Sequence, residues 1–127
     1  MNDVFYFSTA VVELEEVRDL AVSLGYLEKY LSGSALQLEM KRGAKHWCEW
    51  SCFDLDDAEP EERAELEGEG IRTSFCITHH SMDLPDLVRL LTSVIEKCGG
   101  WVGTDADRFA PRYELVNISE LALPQVR

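Results

Sequence analysis

The acidic segment, residues 54–69, constrains this chain more than any other feature of its sequence. It holds nine carboxylates and one base, Arg63, so it carries −8 of the formal net charge of −12. Like charges at this density repel one another and stay hydrated, which predicts an exposed acidic loop at 54–69 rather than a part of the core. A cluster of one sign also steers a partner of the opposite sign and disfavours other partners. The segment therefore predicts a basic protein partner.

Length and composition set the class of protein. A chain of 127 residues, 46% of them hydrophobic, predicts a single α+β domain over 1–127 with a real core. With a pI near 4.5 and no dense group of bases, it is expected to bind neither nucleic acid nor an anionic membrane. The N-terminus lacks the basic and apolar regions of an export signal, so the four cysteines are expected to stay reduced thiols in the cytoplasm.

The first half of the chain alternates between strand and helix patterns. An apolar run predicts a first strand at 3–8, and apolar residues at helical spacing predict a helix over 14–24, capped by Ser8 or Thr9 and ended by Gly25. Residues 26–34 are expected to be a connection. Period-two patterns then predict strands at 36–40 and 46–55, joined by a turn at 42–45.

The second half repeats the order. After a strand at 71–80, Pro85 marks the first turn of a helix that Asp83 or Ser81 caps and that a glycine pair ends at 99–100. A last strand is expected at 112–118, with residues 101–102 entering the sheet or packing at its edge. This order predicts a ferredoxin-like two-layer sandwich: an antiparallel sheet of four to five strands with two helices on one face. The other face would be open unless a partner covers it.

Zinc-ligand residue types occur on two predicted strands: His46, Cys48 and Cys52 on one, and Cys76, His79 and His80 on the other. Same-face neighbours on a strand lie about 7 Å apart, so only adjacent strands could close a tetrahedral site. Buried thiols that pack as small apolar groups are the simpler interpretation. We expect no metal and no other cofactor.

His80 and Asp83 are spaced for a histidine–carboxylate dyad that could act as acid and base. The competing interpretation is that Asp83 caps the second helix and the histidines end a strand. No serine or cysteine nucleophile adjoins the pair, and the glycine-rich run at 99–103 follows a helix, whereas a phosphate loop precedes one. We expect no catalytic residues and no enzyme activity.

Two tryptophans fall on opposite faces of the strand at 46–55, so only one of them can face the helices. Trp50 is predicted to lie on the open face or under the acidic loop, as an aromatic anchor for a partner. The predicted partner-binding residues are Asp56, Asp57, Glu59, Glu61, Glu62, Glu65, Glu67 and Trp50. A segment that only increases solubility is the alternative.

The C-terminal half carries a recognisable pattern: the strand FCITHH, the helix PDLVRLLTSVIEKC, the stop GGWVGTDAD and the closing RYELVNISEL. It resembles small bacterial immunity proteins of polymorphic-toxin and contact-dependent growth inhibition systems. The resemblance implies a small, acidic, cytosolic protein that neutralises a toxin domain, commonly a basic nuclease, by covering its active site.

Three functions follow from these patterns. The first is a non-catalytic immunity protein that binds a basic, nuclease-type toxin domain. The second is a small-molecule-binding regulatory domain that acts as a homodimer through its sheet. The third is an enzyme that uses His79, His80 and Asp83. The fold alone does not choose among them.

Overall fold

The computed structural model describes residues 1–40, 43 and 45–123. Within these residues, six strands form one sheet: β1 (Asn2–Ser8), β2 (Leu27–Leu31), β3 (Ala35–Glu39), β4 (Trp47–Cys52), β5 (Thr73–His79) and β6 (Trp101–Thr104). The described α-helices are α1 (Leu14–Ser23), α2 (Pro60–Gly68) and α3 (Leu84–Cys98). None of these helices is long and apolar enough to cross a membrane.

The sheet has the order β2-β3-β4-β5-β1-β6, and every neighbouring pair is antiparallel. Helices α1 and α3 bury their apolar stripes against one side, here called the covered face. Register places Leu36, Trp50, Ile77 and Val4 side by side across that face, each at most 5% exposed. The α+β class and the antiparallel sheet with two helices on one face are confirmed, although the sheet has six strands rather than four to five.

The opposite side of the sheet is covered over only one half. There, Phe5 and Phe7 of β1 pack with Trp101, Phe109 and Leu66 in a second, smaller core. Leu66 belongs to α2, so this helix lies on the side away from α1 and α3.

The predicted loop at 54–69 is wrong, because most of that segment folds as α2. Pro60 occupies the first turn, and Glu59 and Glu62 form a reciprocal capping box. Glutamate is also a good helix former, and buried Leu66 fixes the helix to the sheet. The repulsion among the carboxylates keeps them at the surface but does not prevent the helix.

Other boundaries differ from the prediction where local patterns are weak. Residues 27–31 form β2 rather than a connection, and nearly all of its side chains are exposed, so no alternation marks it. The closing strand is β6; residue Tyr113 of the predicted strand at 112–118 makes only an isolated bridge to Val102. Helix α1 is capped by a box of Glu13 with Glu16, not by Ser8 or Thr9.

The helix α3 is confirmed from its first turn at Pro85 to its stop at Gly99, which has φ 72°. This positive φ is the conformation for which glycine is the usual helix stop. The predicted turn at 42–45 includes residues outside the described part of the chain.

Candidate protein-binding surface

Helix α2 holds its carboxylates on a rigid support. Its apolar side meets the second core through Leu66, which is 3% exposed, while Glu59, Glu61, Glu65 and Glu67 remain exposed. A side chain on a docked helix loses less conformational freedom on binding than one on a free loop. The acidic segment is thus a fixed charged surface.

A guanidinium of the same chain already occupies part of this surface. Arg108 donates from its two terminal nitrogens to Glu65 (2.9 Å) and Glu61 (3.0 Å), and its backbone N–H donates to Glu62 (2.7 Å). The hydrogen bond to Glu61 raises the pKa of the Arg108 guanidinium above its usual value. One turn of α2 can therefore hold an arginine between carboxylates.

The Arg108 backbone is held in an uncommon conformation. Arg108 and the following Phe109 have φ of 57° and 56°, in the left-handed region that costs a non-glycine residue about 1–2 kcal/mol. Phe109 is buried, with its ring centroid 4.9 Å from that of Phe5 and 5.0 Å from that of Phe7. Aromatic packing and the contacts to α2 offset the strain.

A second arginine binds the far end of α2. Both terminal nitrogens of Arg112 lie 2.8 Å from the carboxylate oxygens of Glu69, the two-pronged geometry that arginine and carboxylate prefer. The guanidinium also lies over the Trp101 ring, 3.8 Å from the ring centroid. Arg112 therefore links α2 to the sheet below it.

The predicted partner-binding carboxylates fall into two groups. Glu61, Glu62 and Glu65 bind Arg108, and Asp56 lies 3.5 Å from Arg63. Across residues 1–40, 43 and 45–123, the remaining ones form no ion pair: Asp57, Glu59 and Glu67. Glu59 is engaged in the capping box, so within this set Asp57 and Glu67 are the carboxylates whose side chains have no partner among the described residues.

The placement of Trp50 on the open face is wrong. Trp50 is 0% exposed and lies in the main core, with its ring 6.3 Å from that of Tyr6 and 5.9 Å from that of Phe75. The large Trp50 side chain fills the central position of the covered face. Trp47 takes the opposite, partly exposed face of β4.

Sequence reasoning missed one buried polar pair. Asp83 is 0% exposed, and both of its carboxylate oxygens lie 3.1 Å from Nδ1 of His46. The predicted partner of Asp83, His80, instead packs edge-on against Trp47 at a centroid distance of 5.5 Å. Asp83 does sit at the N-cap of α3, but its side chain makes no capping hydrogen bond. Spacing in the sequence gave no signal for a pair 37 residues apart.

The sheet register separates the cysteines of the zinc hypothesis. Cys48 pairs with His79 on the covered face, whereas Cys76 pairs with Phe5 on the opposite side. Burial raises the pKa of Cys48 to about 12, so its thiol is protonated at neutral pH. No group of three or more histidine, cysteine or acidic residues in the described chain could hold a metal ion.

No protein-family model, curated protein or solved structure matches this chain. The fold and this surface define the class of the protein. It is a small α+β protein in which an acidic helix covers one half of the sheet face opposite α1 and α3.

Proposed function

We propose that this chain is a non-catalytic binding protein: a cytoplasmic immunity protein that neutralises a basic, nuclease-type toxin domain by protein–protein contact. The observation that carries the proposal is the binding of Arg108 by the carboxylates of α2. A basic residue of a partner can bind the neighbouring free carboxylates by the same chemistry. In a nuclease, the residues that bind substrate phosphate are basic, so an acidic helix complements that groove.

The charge distribution supports a role in association. The carboxylates are fixed on one helix, so their negative electrostatic field has a defined direction. This field raises the rate of encounter with a basic protein. The acidic segment carries −8 of the net charge of −12, so it is the main source of this field. Charge of this kind contributes to rate and selectivity, while packed apolar contacts contribute to the lifetime of a complex.

We infer that the frame of the molecule is a ferredoxin-like sandwich extended at one edge. The elements β1-α1-β4-β5-α3-β6 give the strand order β4-β5-β1-β6 with two helices on one face. The hairpin β2–β3 and helix α2 would be additions to that frame. Helix α2 covers part of the side away from α1 and α3, whereas the hairpin extends the sheet and buries Leu36 and Leu38 in the main core.

Capture from lysate of the source cells, at ~50 mM and ~500 mM salt, tests the proposal. We expect one basic protein, captured in stoichiometric amount at low salt and reduced at high salt. The captured protein should then bind the purified chain and lose its nuclease activity. If the captured protein is acidic or keeps its activity in the complex, the proposed function is wrong.

Neutralising Asp57 and Glu67 should slow binding. For the variant Asp57→Asn/Glu67→Gln we expect an association rate for the captured protein that is roughly threefold to tenfold lower at low salt, because steering depends on local charge. The dissociation rate should change little. Stopped-flow fluorescence at several salt concentrations measures both rates.

The matched control removes the same charge elsewhere. Glu15 and Glu96 are exposed on α1 and α3, so Glu15→Gln/Glu96→Gln should change the association rate by less than about twofold. Equal effects of the two variants would mean that net charge, not the acidic segment, determines the rate.

A second candidate function is a ligand-binding homodimer. Strand β2 lies at the edge of the described sheet, where a second copy could pair with it, and a cleft of about 540 Å³ lies between the start of α2 and Arg108. The cleft is lined by Glu59, Glu61 and Glu62, which would suit a cationic ligand. A concentration-independent monomer in sedimentation would exclude this candidate.

A further inference from the structure

Helix α2 covers only half of the sheet side that faces away from α1 and α3. The uncovered half forms a continuous surface, here called the open sheet face. Register places Leu27, Glu39 and Trp47 in one row across β2, β3 and β4. The next row contains Tyr30, Glu49 and Asp3, with Gln37 and Thr78 between them. On β3, β4 and β5 these side chains point away from the main core, because they alternate with buried residues. Leu27, Tyr30 and Asp3 share that side, because residues paired directly across antiparallel strands point to the same face.

The open sheet face exposes apolar and aromatic groups. Leu27 is 60% exposed and Tyr30 is 54% exposed, although both lie within a hydrogen-bonded strand. Trp47 is partly buried by His80 but keeps one side free of the core. Trp and Tyr are enriched at the centres of protein interfaces.

The same face is acidic. None of the strand positions in the two rows carries Lys or Arg, whereas three carry carboxylates: Asp3, Glu39 and Glu49. Asp3 accepts a hydrogen bond from Thr78 at 2.7 Å. Glu39 and Glu49 have no side-chain hydrogen bond or ion pair to any residue in the described ranges.

We propose that the open sheet face is the docking surface for a basic protein, with Trp47 and Tyr30 as anchors and Glu39 and Glu49 as partners for Lys or Arg. This inference rests on the proposed function. Aromatic rings beside carboxylates that have no partner among the described residues suit a guanidinium or ammonium group, which stacks on the ring while it hydrogen-bonds the acid. The surface thus supplies the apolar contacts that α2 lacks.

The negative charge of the open sheet face favours a different protein, rather than a second copy of this chain, as the partner. A twofold interface brings the same surface of both copies together, so each copy would add Asp3, Glu39 and Glu49 to the shared interface. No base on these strand positions would compensate them, and each copy carries a net charge of −12. A basic partner removes this repulsion.

The position of α2 lets one partner use both surfaces. The second core, which carries α2, lies on the same side of the sheet as the open sheet face, because Phe5 and Cys76 of that core lie two residues along their strands from Asp3 and Thr78. A protein steered by α2 therefore reaches Trp47 and Tyr30 without turning around the molecule.

Site-specific photo-crosslinking in the full chain tests this inference. A benzophenone side chain replaces Tyr30 on the open sheet face, Glu67 on α2, or Glu96 on α3, and each protein is irradiated in lysate of the source cells. We expect the Tyr30 position to crosslink to a basic protein, identified by mass spectrometry, and the Glu96 position to give no such product. Glu39→Lys/Glu49→Lys should reduce the Tyr30 product about tenfold, whereas the matched Glu15→Lys/Glu96→Lys should reduce it less than about threefold.

The other outcomes overturn the inference in distinguishable ways. Crosslinks to a basic protein from Glu67 but not from Tyr30 would place the interface on α2 alone and leave the proposed function standing. A crosslink between two copies of the chain from Tyr30 would make the open sheet face a homodimer interface. No crosslink from Tyr30 or Glu67 to any basic protein would contradict both the inference and the proposed function.

Discussion

Replacing Trp50 with alanine is expected to lower the free energy of unfolding by about 3–5 kcal/mol. Trp50 is fully buried between Tyr6 and Phe75 at the centre of the covered face, so the substitution leaves a large cavity beneath α1 and α3. Urea denaturation followed by far-UV circular dichroism measures the change. Trp50→Phe, which keeps most of the ring contacts, should lose clearly less.

Trp47 provides the contrast on the same strand. Because Trp47 is only partly buried, Trp47→Ala should lower the free energy of unfolding by less than about 2 kcal/mol. Its main effect should be a faster dissociation of the proposed basic partner. If Trp50→Ala kept full stability while it weakened partner binding, the assignment of the two tryptophans would be reversed.

Replacing His46 with alanine is expected to lower the free energy of unfolding by about 3 kcal/mol. The substitution leaves the fully buried carboxylate of Asp83 without its only side-chain partner in the described chain. An unpaired buried charge is costly, and Asp83 lies where α3 begins, so the start of that helix should loosen first. Chemical denaturation and hydrogen exchange of the first turn of α3 measure the two effects.

The control for this effect keeps a donor near Asp83. His46→Asn places an amide N–H close to the position of Nδ1, so it should recover about half of the loss. An equal loss for His46→Ala and His46→Asn would mean that ring packing against His80, not the hydrogen bond, stabilises this corner.

The sequence predicts those elements whose local pattern agrees with their final burial. In α3, Pro85, one apolar stripe and a glycine stop all indicate the same helix, and the structure confirms it. In β5, alternation of buried and partly exposed residues follows the sequence pattern. Local propensity and tertiary packing favour the same state in both elements.

The elements that sequence reasoning missed are those whose local pattern is weak or conflicting. Strand β2 has almost no buried side chain and is held by pairing with β3, which depends on residues outside the strand. In α2, the charge density favoured an exposed loop, but a capping box and the burial of Leu66 make the segment helical. Here capping and tertiary contact outweigh repulsion.

The candidate surface was predictable only in part. The acidic segment is visible in the sequence, and its carboxylates are exposed in the structure. The arginines that pair with it come from residues 108 and 112, about 45 positions away, and no local pattern links them. The choice between Trp47 and Trp50 depended on which side of β4 the helices cover, which alternation along one strand does not determine.

Titration of the protein captured at low salt with the purified chain tests the proposed immunity function. The nuclease activity of the captured protein is measured against increasing amounts of the chain. Inhibition should be complete at one molar equivalent, and the Glu39→Lys/Glu49→Lys variant should require a clearly higher concentration. A captured protein that retains full activity at a large excess of the chain would contradict the immunity function.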